Sequence, residues 1–129
     1  MIVALRVAYW IGAILDALAF VQLAFPTVGF RMLRASIEPT PAVVFAFEFA
    51  AGLMLGWTLL LIWADRKPLE RRMVLPLTMV VIAWLVGTMI YGVSAGLVPL
   101  GTMLPQIVLV SAAFLYYGFC AVYSFRLAL

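Results

Sequence analysis

Four apolar runs, each long enough to cross a lipid bilayer, leave little else in this chain of 129 residues. They extend over Val7 to Phe25, Pro41 to Ala64, Met73 to Ser94 and Thr102 to Phe125. A hydrocarbon core of roughly 30 Å needs about 20 consecutive apolar residues in a helix. The runs are continuous, whereas membrane-barrel strands alternate apolar and polar residues over about 10 positions. The expected fold is therefore all-α: an integral membrane antiparallel four-helix bundle, one domain over residues 1–129. Composition agrees, with 68% of residues hydrophobic and 10% charged. A small water-soluble domain has too little volume to bury that excess. The first run exceeds the core of a signal peptide and is expected to stay as a span.

Proline, glycine and charge mark the boundaries. Pro26 and Gly29 close the first run, Pro39-Thr40-Pro41 opens the second, and Gly96 and Pro99 mark the turn into the fourth. The segment ADRKPLERR, Ala64 to Arg72, separates the second run from the third. With four spans, Arg6, Arg66, Lys67, Arg71, Arg72 and Arg126 fall on one side and only Arg31 and Arg34 on the other. Basic loops stay cytoplasmic, so both termini are expected in the cytoplasm, with the protein in a cell inner membrane. In the first outer loop, VGFRMLRASIE places Phe30, Leu33 and Ile37 at helical spacing beside Arg31, Arg34 and Glu38. That pattern predicts a short interfacial helix, a cap or a lid, in which Arg34 and Glu38 can pair. Pro68 and Glu70 suit a first helical turn, so the third helix is expected to start there, ahead of the membrane.

What the chain lacks narrows its chemistry. It has no histidine and one cysteine, Cys120, inside the fourth run. Histidine-held haem, histidine-based zinc sites and an intrachain disulfide are thereby excluded. No oxygen-rich cluster suggests a divalent-metal cage, and no cofactor fingerprint or nucleophile–base arrangement is legible. The expectation is no cofactor and no metal, and the residues lean against enzyme activity without deciding it. The expected partners are the bilayer, a lipophilic small molecule, and a second copy or a larger membrane complex; nucleic acid is not among them.

Two acids interrupt the apolar runs. Asp16 lies within IGAILDALAF and Glu48 within FAFEFAAG. A carboxylate at mid-span costs about 2.5–3.5 kcal/mol on the insertion scale, so such groups usually face a bundle interior or a wet cavity. Counted from the helix ends at about 1.5 Å per residue, the two acids come within about 5 Å in depth. Gly12, Ala13 and Ala17 surround Asp16, and Gly52 and Gly56 follow Glu48 at four-residue intervals. Small residues at that spacing let membrane helices approach closely, within the bundle or between two copies. Tyr91 on the third run and Gln106 and Tyr117 on the fourth supply donors that either bind a ligand with the acids or join helices. The acids themselves exchange a lipophilic cation for protons, form part of a proton or metal-ion path, or latch the first two helices together.

Three resemblances bear on that choice. The four-span layout with an acid in IGAILDALAF resembles the small multidrug-resistance transporters. These are four-helix proteins that act as dimers and use a first-helix glutamate to exchange protons for cationic drugs. Here the acid is Asp16, and Glu48 is additional. The pairing of Asp16 with Glu48 in PAVVFAFEFA is similar to the emopamil-binding and sigma-2 type proteins. That similarity implies a pocket for sterols or lipophilic amines between the two acids, and the absence of histidine sets the chain apart from sterol isomerisation. GWTLLLIWADRKPLERR, Gly56 to Arg72, looks like a segment of small prokaryotic four-span proteins and implies no mechanism. The expected function is binding or transport of a lipophilic, cationic small molecule through Asp16 and Glu48. The alternative is a structural or assembly subunit of a larger membrane complex.

Overall fold

Each helix boundary follows from a few residues. Thr40 accepts a hydrogen bond from the Val43 amide, and Pro41 takes the first helical position, where its missing N–H is not needed. Pro26 forces the preceding Phe25 out of helical geometry (φ −117°, ψ 84°), which breaks one helix and starts the next. At Gly96, φ is +73°, and Leu97 and Gly96 donate to the carbonyls of Gly92 and Val93. That double bond is a Schellman turn, and it stops the helix before it. The computed structural model describes residues 1–34 and 38–127. These hold five helices and no strand: α1 Ile2–Ala24, α2 Pro26–Leu33, α3 Pro41–Asp65, α4 Val74–Ser94 and α5 Leu100–Leu127. Four of them, α1, α3, α4 and α5, are long and apolar enough to cross a membrane.

Two sequence expectations are corrected. The helix in the first loop starts earlier than expected, at Pro26, and ends at Leu33, because Arg34 adopts the left-handed conformation (φ 48°). Glu38 therefore stands outside the helix in which it was expected to pair with Arg34; Ile37 and the side chain of Leu33 lie outside the described residues. Residues 66–73 form turns, and α4 begins only at Val74, not at Pro68.

Packing is uneven along the molecule. α1 runs along α3, α4 along α5, and α1 meets α5 to join the two pairs. Phe30 of α2 stacks on Phe47 of α3, with ring centroids 5.0 Å apart. Buried residues of α1 end at Ala13 and those of α4 at Ile82, while those of α5 lie mainly between Ala113 and Ser124. The core of Leu5, Tyr9, Leu61, Leu75, Tyr117 and Cys120 thus gathers at one end. That end also carries Arg6, the 66–73 turns and Arg126, and is called the basic end below. Toward the far end the helices present apolar side chains outward, with Trp84 76% and Phe45 71% exposed. The accessible surface is 7969 Å², against about 6800 Å² for a compact monomer of 14.2 kDa. The excess matches the loose far end.

Candidate functional site

Asp16 continues the buried face of α1. Ala8, Tyr9, Gly12 and Ala13 on that face are buried, and Asp16, one turn beyond Gly12, is half-buried. Beneath it the helices close tightly. The Tyr117 hydroxyl donates to the Ala8 carbonyl at 2.7 Å. A Cβ on Gly12 would stand 2.8 Å from Leu61 Cδ1 and 3.2 Å from Tyr117 Cζ, and would overlap the Tyr117 hydroxyl. Glycine at this position is what lets α5 and α3 both reach α1. The Asp16 carboxylate stands one helical turn beyond this contact on α1. Among the described residues it has no hydrogen-bond or ion-pair partner.

Glu48 lies elsewhere. Arg6 and Asp65 touch and so fix a common level on α1 and α3. From that level Asp16 is about 15 Å along α1 and Glu48 about 26 Å along α3, at about 1.5 Å per residue. The acids are therefore separated by about 10 Å along the helix axes, two turns rather than the one expected. The sequence estimate measured Glu48 from the far end and assumed a thinner bundle. Glu48 is exposed, and Gly52 and Gly56 continue its face with nothing within 4 Å of either Cβ position. Tyr91 is also exposed; it shares an open groove on α4 with Val80, Trp84 and Thr88. Gln106 is half-buried on α5. Of the candidate residues, the fold brings together Gly12, Asp16 and Tyr117 and leaves Glu48, Tyr91, Gln106, Gly52 and Gly56 apart.

The polar side chains that are tightly held sit at the basic end. Arg6 Nε and Nη2 donate to both carboxylate oxygens of Asp65, at 3.0 and 3.2 Å. The Tyr9 hydroxyl lies 3.2 Å from the Pro68 carbonyl oxygen and 3.4 Å from that of Arg71. The Arg71 guanidinium stacks over the Trp63 ring, 3.5 Å from its centroid, and donates to the Trp63 carbonyl. The Tyr116 hydroxyl donates to the Ala4 carbonyl at 3.0 Å, and the Trp57 indole N–H to Thr78 Oγ1 at 3.2 Å. Sequence reasoning took Ala64 to Arg72 as one basic block and missed the Arg6–Asp65 pair. The signal was present, since a four-span topology puts residue 6 and residue 65 on one side.

Among the described residues no group of three histidine, cysteine, aspartate or glutamate side chains stands close enough to hold a metal ion. No family model matches the chain, and neither does any curated protein or solved structure.

Proposed function

We propose that the chain is an antiparallel four-helix bundle of a bacterial inner membrane, termini in the cytoplasm, that binds or transports a lipophilic cation at Asp16. The observation that carries this reading is the half-buried, unpartnered carboxylate of Asp16 above the closed floor formed by Gly12, Leu61 and Tyr117. A carboxylate in an apolar surround is stabilised by a cation or by a proton, and a ligand that brings the first displaces the second. The loose far end offers a route to it, and Glu48, nearer that end, provides an earlier contact. The basic end, where the cations gather, is the cytoplasmic one in this reading. Tyr117 orients the floor, while Tyr91 and Gln106 lie toward the far end.

Native mass spectrometry of protein extracted gently from its own membrane tests the reading. The expected result is a retained cationic small molecule that is lost in Asp16→Asn. Retention unchanged in that variant would overturn it.

A second reading, a structural or assembly subunit of a larger membrane complex, is favoured by the open Glu48–Gly52–Gly56 face of α3. The same experiment would then return a bound protein and no small molecule.

A further inference from the structure

The basic end holds six basic and two acidic side chains, and the acids are both engaged: Asp65 by Arg6, and Glu70 by Lys67 at 2.9 Å. Arg71 is held by Trp63. Arg72, like Arg66 and Arg126, has no acidic partner among the described residues. Its guanidinium lies 5.0 Å from the Phe125 ring centroid and reaches the Leu69 carbonyl only at 3.5 Å. Arg72 also lines an open cavity of about 630 Å³ between the start of α1, the 66–73 turns and the end of α5. Ile2, Val3, Leu69 and Leu127 make up most of the remaining wall. Ser124, also in the wall, already donates to the Ala121 carbonyl and makes no demand on a ligand. The cavity is of the size that takes small molecules. It combines Arg72, which has no acidic partner among the described residues, and the N-terminal residue Met1 with a largely apolar wall, and Ile2, Val3 and Leu127 are themselves exposed, so that wall continues to the molecular surface.

A ligand that satisfies both features is anionic at one end and aliphatic at the other. We propose that this cavity holds an anionic phospholipid, its phosphate on Arg72 and an acyl chain along Ile2, Val3 and Leu127. Arginine suits that role because its planar fork donates two hydrogen bonds to phosphate oxygens. The level is also right in a membrane-inserted chain, because Arg72 belongs to the turn that immediately precedes α4. This site is separate from Asp16 and does not rest on the cation reading.

The test is native mass spectrometry of the full chain in detergent with added phosphatidylglycerol or phosphatidylcholine. The expected result is preferential retention of phosphatidylglycerol, reduced at least about fivefold in Arg72→Gln, given about 1 kcal/mol per basic residue near an anionic lipid. Arg126→Gln, on the same end but outside the cavity, should keep the preference. Val3→Trp, which fills the apolar wall with Arg72 intact, should lose retention even if Arg72→Gln fails to fold. Equal retention of the two lipids, equal effects of Arg72→Gln and Arg126→Gln, or full retention by Val3→Trp would each overturn the proposal. So would complete displacement of phosphatidylglycerol by millimolar glycerol phosphate, which would make the ligand a free phosphate rather than a lipid.

Discussion

Gly12 and Gly52 are both flanked by small or apolar residues in the sequence, yet they occupy opposite situations. Gly12 is pressed between Leu61 and the Tyr117 ring, whereas a Cβ on Gly52 would meet nothing. Gly12→Ala should therefore destabilise the fold by about 1–3 kcal/mol through overpacking, measured by reversible unfolding in mixed micelles. Gly52→Ala should be neutral or slightly stabilising, because alanine is the better helix former. A large loss from Gly52→Ala would mean that another molecule covers that face. Tyr117→Phe should cost about 1 kcal/mol for the lost bond to the Ala8 carbonyl, again read from unfolding. If the same variant leaves retention of a bound cation intact, Tyr117 serves the helix contact and Asp16 alone serves the ligand. The close helix contact at Gly12 was legible from the small residues around Asp16. The outward direction of Glu48 was not, since a four-residue spacing defines a helix face without saying which way it turns.

At the scale of elements, the pattern of apolar runs located the four long helices, and the turn residues located most of their ends. The misplaced boundaries were those of α2 and α4. A non-glycine residue in left-handed geometry, Arg34, ends α2, and nothing in its side chain announces that choice. The Pro68–Arg72 segment has the composition of a helix start but is held as turns, with the Tyr9 hydroxyl close to the carbonyl oxygens of Pro68 and Arg71. Gly96→Ala should weaken the α4–α5 connection by about 1–2 kcal/mol, because its φ of +73° strains any residue with a Cβ. The Arg6–Asp65 pair links the start of α1 to the end of α3. Arg6→Ala and Asp65→Ala combined should do no more harm than the worse of the two alone, since each removes the same contact. Additive losses in that double-mutant cycle would deny the pair a joint role.

For the whole molecule, the asymmetry between the two ends was not legible, because the runs are equally apolar throughout. Which segments of an apolar helix become buried depends on side-chain shape and on the polar ties at the basic end, neither of which hydropathy reports. The consequence is measurable. Leu61, fully buried, and Leu53, 62% exposed, lie on the same helix. Leu61→Ala should cost about 2 kcal/mol or more in unfolding experiments, as a cavity in a packed core does. Leu53→Ala should stay within about 0.5 kcal/mol, the range of surface changes. The joined end also has a mechanical meaning. Two stiff rods fastened at one end form a tuning fork, in which leverage converts a small turn at the stem into a large stroke at the tips. With α4 about 31 Å long, a turn of about 5° at the stem moves its tip by about 3 Å. Were the chain inserted in a bilayer, lateral pressure around the tips would act with the longest available lever arm.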